Sequence, residues 1–187
     1  MWLVVGLGNP GTQYSLTRHN IGFLAIDHWL NRLNESRSQQ QFKAEINKLK
    51  LKDTQIITCK PQTFMNLSGE SVQPLLDFYK IEKSNLIVIQ DEIDQEFTKI
   101  KIQQNRGHGG HNGIRSISER LGSSDYIRLR LGVGRPLNPN IPIADYVLGK
   151  FSNEEMNQLP DFLNRSCDAI EAIIFSGVQK ASTQFNK

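Results

Sequence analysis

The stretch that most narrows the possible folds is at the start of the chain, where the apolar run Trp2-Leu3-Val4-Val5 passes straight into Gly6-Leu7-Gly8-Asn9-Pro10-Gly11. The run reads as a buried strand, and the three glycines carry the G-x-G-x-x-G spacing of a dinucleotide-binding turn. Such a turn needs its third glycine to open a helix directly, and a carboxylate about 20 residues on, at the tip of the next strand, to hold a ribose hydroxyl. Neither condition is met: Pro10-Gly11 makes a turn, the helical pattern begins roughly eight residues later, and Asp27 and Glu35 belong to that helix or to the loop after it. NAD binding is therefore not expected. Asn9 becomes the residue of interest, because open α/β sheets place ligands just past their strand ends.

Beyond the glycine turn, strand and helix patterns interleave. Phe23, Ile26, Leu30 and Leu33 recur at helical spacing and predict a helix over about 20–33, with His19 and Asn20 at its start. Residues 34–41 read as a polar loop, 42–51 alternate as a strand-pair edge, and Ile56–Cys59 form a strand stopped by Pro61. Ser68, Glu70 and Ser71 open a helix carrying Val72, Leu75, Leu76 and Tyr79, and Leu86–Ile89 is a central strand with Asp91 just past its end. Residues 97–103 and 127–133 alternate as strands with one wet side. Asn112 starts a helix that buries Ile114, Ile117 and Leu121 and stops at Gly122, and Ser152-Asn153-Glu154-Glu155 is a capping box for a long C-terminal helix. The expected class is α/β: one domain over residues 1–187, a three-layer α/β/α arrangement around a mixed, mostly parallel twisted sheet.

Composition bounds the function. At 187 residues the chain supports one well-buried core. It has no basic-plus-apolar leader and no apolar stretch near the roughly 18 residues a membrane helix needs, so a soluble cytoplasmic protein without membrane contact is expected. Cys59 and Cys167 have no metal-ligand spacing and read as two reduced buried thiols. Charge is concentrated: residues 97–135 hold eight Lys or Arg against two acids, a net of +6, a region suited to a polyanion.

Asn9, Asn66, Asp91 and Asn112 each fall at a strand end or a helix start, and His19 sits at another helix start. Convergence of three carboxamides, one carboxylate and one imidazole on one rim would make a polar, nearly uncharged site, which suits acyl transfer. His19 is the best candidate base; the helix N-terminus disfavours its imidazolium and is expected to hold it below the ordinary value of about 6.5. Asp91 could accept from the other ring nitrogen and fix the tautomer. His28 reads as a packing or surface residue, and His108 and His111, in a glycine loop, as phosphate contacts or exposed side chains. No G-x-S-x-G elbow and no H-E-x-x-H motif occurs, so water activated by a histidine remains.

Three stretches, GLGNPGTQYSLTRHNIGF, KPQTFMNLSG, and DEID followed by GHGGHNGIRSI, closely resemble the bacterial peptidyl-tRNA hydrolases over nearly the whole chain. The resemblance implies that family's fold and cleavage of the ester joining an N-blocked peptide to the 3′-terminal ribose of tRNA. It implies no metal, no cofactor, no covalent intermediate, no obligatory protein partner and a monomer acting on the acceptor end. By position it makes His19 the general base on water and Asp91 its orienting partner. Asn9, Tyr14, Met65, Asn66 and Asn112 become the lining for the peptide end and terminal adenosine. Asn66, or a backbone N–H at the same turn, is expected to donate to the oxyanion, and Asn112 to hold the water or a carbonyl. Lys101, Arg106 and Arg130, with Lys99 and Arg135 near them, would supply phosphate contacts. Family members often carry a second basic residue where this chain has Gln103, which puts the tRNA 5′-end contact in question and makes Arg106 a substitute. The competing reading is a non-catalytic RNA-binding relative of the same fold, which predicts damaged chemistry beside an intact basic face; here His19, Asp91 and the three asparagines all stand.

Overall fold

The computed structural model describes residues Met1–Lys187. The elements in chain order are β1 (Trp2–Gly6), α1 (Ile21–Arg32), β2 (Ser38–Gln41), β3 (Ala44–Leu51), β4 (Thr54–Pro61), α2 (Gly69–Tyr79), β5 (Leu86–Glu92), β6 (Ile100–Gln104), α3 (Asn112–Leu121), β7 (Ile127–Gly132), α4 (Ile143–Val147), α5 (Asn153–Ser176) and α6 (Val178–Phe185). Short 3-10 turns at Thr12–Tyr14, Arg18–Asn20 and Met65–Leu67 join them. The seven strands form one sheet in the order β2-β3-β4-β1-β5-β7-β6. Its four central strands are parallel, and β2, β3 and β6 are antiparallel to their neighbours.

Successive side chains of a strand point to opposite faces, so a strand covered by helices on both sides must be apolar throughout. β1 meets that demand. Val4 joins a cluster of 24 buried residues under α1, α5 and α6, whereas Leu3 and Val5 join a second cluster of 17 under α2 and α3. The result is the expected three-layer arrangement. Gly6, which opens the first motif, and Gly22 of α1 serve packing: a Cβ on Gly6 would stand 2.2 Å from the Gly22 carbonyl oxygen, and one on Gly22 would stand 2.4 Å from the Leu7 nitrogen. Their bareness lets α1 lie close on β1 and brings the Arg18–Asn20 turn down onto the end of β5.

The structure corrects three expectations. Residues 38–41 are a strand, β2, paired antiparallel with β3 through a turn in which Phe42 and Lys43 both have positive φ (50° and 57°). That left-handed pair is the geometry of a two-residue hairpin, here without the usual Gly or Asn as a cue. Second, β5 runs on to Glu92, so Asp91 is the penultimate residue of the strand rather than lying past it. Third, β6 starts only at Ile100, because Thr98 adopts a left-handed φ of 75°. The chain end is anchored: the Asn186 amide donates to the Ile102 carbonyl at 2.9 Å and accepts from its N–H at 2.6 Å, covering the open edge of β6. No helix is long and apolar enough to cross a membrane.

Candidate active site

A cavity of about 560 Å³ opens at the carboxyl ends of the parallel strands, where ligand sites of open α/β sheets are found. Asn9, His19, Met65, Asn66, Asp91 and Asn112, all singled out in the sequence, line it together. Asn9 lies in the turn after β1, Asp91 is the penultimate residue of β5, Met65 and Asn66 come from the 3-10 turn after β4, and Asn112 opens α3. Ile143, Ala144 and Val147 of α4, with Leu148, add an apolar stretch to the lining. Tyr14 is half-buried and outside this lining.

His19 Nδ1 lies 2.9 Å from both carboxylate oxygens of Asp91, whose side chain is 2% exposed. Burial alone would push His19 down and Asp91 up, but their mutual attraction and hydrogen bonding, reinforced on Asp91 by His111, win in both cases. His19 is therefore raised, and Asp91 is held well below the usual carboxylate range. The helix-terminus expectation of a lowered His19 is thus overturned: a carboxylate in contact outweighs the dipole of the helix.

His111, read from sequence as a phosphate contact or an exposed residue, turns inward. Its Nε2 lies 2.7 Å from Asp91 Oδ1, and its Nδ1 accepts from the backbone N–H groups of Gly113 and Ile114 at 3.2 and 3.4 Å, capping α3. An Nδ1 that accepts cannot hold the proton of a neutral ring, so Nε2 carries it and donates to Asp91. Asp91 therefore receives N–H groups from two imidazoles, and with Nδ1 of His19 protonated the lone pair of its Nε2 is left to the cavity. The same reasoning bears on metal binding. His19, Asp91 and His111 offer three ligand atoms within 4.8 Å of one another, but the Nε2 of His111 has no free lone pair to give an ion.

The amides are pinned as tightly. Asn20, buried beneath, accepts from Asn9 N–H and donates to Asn9 carbonyl, both at 2.9 Å, and Asn9 Oδ1 accepts from Met65 N–H at 2.8 Å. With its oxygen engaged, Asn9 has only its Nδ2 donors left for the cavity. Gly113 lets Met65 pack close against the start of α3: a Cβ there would stand 2.6 Å from Met65 Sδ and displace that side chain. Sequence reasoning missed Asn20 and His111; each works through a partner distant in sequence, so no local spacing betrays it.

The basic residues divide. Lys101 lines a shallow hollow near Lys99 and Lys187, and Arg106 lines another with Arg128 and Arg130 that shares Gly109 with the main cavity. Neither Lys101 nor Arg106 forms an ion pair. Arg130, in contrast, is committed to Glu92 and to Gln103, and Arg135 to Asp94 at 2.6 Å. Buried Arg128 fastens the glycine loop, donating to the Gly107 carbonyl at 2.6 Å and to Gln90 at 2.7 Å. Cys59 and Cys167 are free and buried, and burial pushes the Cys167 thiol up to about 12.

Fold and site together define an α/β protein whose cleft, at the carboxyl ends of the parallel strands, holds a buried aspartate bound by two histidines among asparagine side chains, with no serine, threonine, cysteine or lysine in its lining. Comparison with known proteins narrows this. The peptidyl-tRNA hydrolase family model matches residues 3–187, and the chain belongs to that family. It is 67% identical over 186 residues to the peptidyl-tRNA hydrolase of Bdellovibrio bacteriovorus, with full coverage of both chains. It is 45% identical to that of Oceanobacillus iheyensis, covering 93% of this chain and 92% of the relative. The crystal structure of peptidyl-tRNA hydrolase from Acinetobacter baumannii superposes with a TM-score of 0.91 at 30% identity, covering 100% of this chain and 94% of that one. The chain accordingly hydrolyses peptidyl-tRNA and releases tRNA, and the non-catalytic reading falls away.

Proposed function

We propose that His19 is the general base of this hydrolysis and Asp91 its orienting partner. Its Nε2 takes a proton from water as the water oxygen attacks the ester carbonyl carbon. The tetrahedral intermediate then collapses, expelling the ribose 3′ oxygen, which regains the proton from the His19 imidazolium. Peptide carboxylate and tRNA with a free 3′ hydroxyl leave, and no covalent enzyme intermediate forms. The observation carrying this reading is the His19–Asp91 contact, with His111 fixing which nitrogen holds each proton. A positioned base contributes about 10² to 10⁴ in rate.

Asn66 is the donor assigned to the oxyanion, with the outward Nδ2 of Asn9 beside it, and Asn112 holds the water or a substrate carbonyl. Loss of one such donor lowers turnover by about 10² to 10³. Met65 and the α4 wall face the peptide side chain. Lys101 and Arg106, whose charges are unspent, contact phosphates of the acceptor end; Arg130, neutralised by Glu92, orients more than it attracts. We further propose action as a monomer in the cytoplasm, without an obligatory protein partner.

Incubating the protein with N-acetylated aminoacyl-tRNA, beside its unacetylated counterpart, tests the reading. Expected are rapid tRNA release from the acetylated form only and no acylated protein in rapid-quench mass spectra. An acyl adduct on the protein would contradict it.

A further inference from the structure

α4 supplies Ile143, Ala144 and Val147 to the lining of the cavity, yet little fastens it. Only Val147 of its five residues is buried, and the one element it packs against substantially is the 3-10 turn Arg18–Asn20. The side chain that makes this contact is Arg18. Its guanidinium lies 4.3 Å from the centroid of the Tyr146 ring and 5.9 Å from that of Phe151. One terminal nitrogen donates to Glu155 at 2.9 Å and the other to the Tyr146 carbonyl at 3.4 Å. The Arg18 backbone N–H adds a bond to the Gly149 carbonyl at 3.1 Å. Tyr146 is held from its far end by its hydroxyl, which donates to the Val133 carbonyl at 2.7 Å. Glu155 also accepts from the Ser152 N–H, closing the capping box of α5. A single side chain, adjacent in sequence to His19, thus ties the turn bearing the base to α4 and to the start of α5.

We propose that Arg18 is a positioning residue that fixes α4 as the acyl-side wall and so sets the enzyme's preference among peptide side chains, without touching substrate. The inference rests on the reading of α4 as the wall that meets the side chain. Planarity is essential to the role: a guanidinium can stack on Tyr146 and fork to Glu155 at once, whereas an ammonium cannot.

The test measures kcat and KM on N-acetyl-Gly-tRNA and N-acetyl-Phe-tRNA for the wild type, Arg18→Met, Arg18→Lys and Tyr146→Leu. In Arg18→Met and Tyr146→Leu, KM for the Phe substrate should rise about tenfold and KM for the Gly substrate by less than about twofold, with kcat near wild type. Arg18→Lys should fall between, and the Arg18→Met/Tyr146→Leu double variant should be no worse than either single one. An unchanged ratio of the two KM values in Arg18→Met overturns the proposal, as does an equal loss of kcat on both substrates, which would mean that Arg18 acts on His19 itself. If Arg18→Met fails to fold, Tyr146→Leu and Glu155→Gln carry the same test, since Gln keeps the capping box while removing the charge. A wild type indifferent to acyl size would instead refute the assignment of α4 as the wall.

Discussion

Asp91→Asn is the most informative single change, because the hydrogen-bond pattern dictates what the amide must do. His111 Nδ1 is committed to the Gly113 and Ile114 N–H groups, so its Nε2–H still needs an acceptor and takes the amide oxygen of the new residue. The NH₂ group then occupies the other carboxylate position, 2.9 Å from His19 Nδ1. A protonated Nδ1 would face that donor at the same distance as the amide oxygen it must share with His111, so the ring is biased toward the other tautomer, with its proton on Nε2. That nitrogen can no longer accept from water, and turnover should fall by the whole value of a general base, about 10² to 10⁴, with little change in KM. The pH profile should move too. In the wild type kcat/KM should rise with pH through a midpoint above 6.5, because Asp91 outweighs burial in setting His19. In Asp91→Asn burial acts alone, and the midpoint of the residual activity should drop below 6.5. Adding His111→Ala frees the amide to turn its oxygen toward His19, so the double variant should be faster than Asp91→Asn despite the lost cap. Steady-state hydrolysis of N-acetylaminoacyl-tRNA from pH 5 to 9 reads all three effects. A loss below tenfold for the single variant, together with no gain in the double, would refute the tautomer argument.

Gly22→Ala should destabilise the fold by about 3 kcal/mol, since its Cβ would meet the Leu7 nitrogen at 2.4 Å and the Ile89 carbonyl at 2.6 Å, both backbone; urea unfolding measures it. Lys101→Ala and Arg106→Ala should each flatten the dependence of log(kcat/KM) on log salt by about 0.7 to 0.9, and Arg130→Ala by clearly less. An equal effect of all three would show that Glu92 does not silence Arg130. Stability should also track the His19–Asp91 pair. His19 is raised on folding, so its contribution is complete below about pH 6.5 and fades as pH climbs through the raised value; Asp91 is depressed, so its share persists above about pH 4 and is lost only as pH falls through the lowered value. The Tm gap between wild type and Asp91→Asn should therefore be widest between those limits and narrow toward pH 9; a gap that widens with pH contradicts the sign.

Much of this was legible in the sequence, for reasons that differ from residue to residue. Buried strands such as Trp2–Gly6 are continuous apolar runs, and the chemistry-bearing residues follow them directly, so Asn9 and Asp91 could be placed on one rim without knowing the strand order. The strand Ser38–Gln41 could not be read, because it pairs through backbone alone and its side chains are mostly exposed and all polar. His111 hid because its role depends on a ring nitrogen acting as a helix cap, a task sequence patterns assign to Ser, Thr, Asp or Asn. Arg130 looked like a free charge because Glu92, which neutralises it, belongs to a different strand, and nothing local marks Arg18, because Tyr146 and Glu155 lie far along the chain. The sequence suggests Asp91 as the partner of His19 but not the closeness of the contact, 2.9 Å to both carboxylate oxygens, which reverses the direction of the shift expected from the helix end.

The central claim, an imidazole that takes a proton from water, is tested most directly by single-turnover hydrolysis of N-acetylaminoacyl-tRNA with saturating His19→Ala. The account predicts unchanged tRNA binding and a rate at least about 10² below wild type across the pH range, without a rising limb near neutrality. A rate within about tenfold of wild type that still climbs through the same midpoint would contradict it, and would pass the role of base to another group in the cavity.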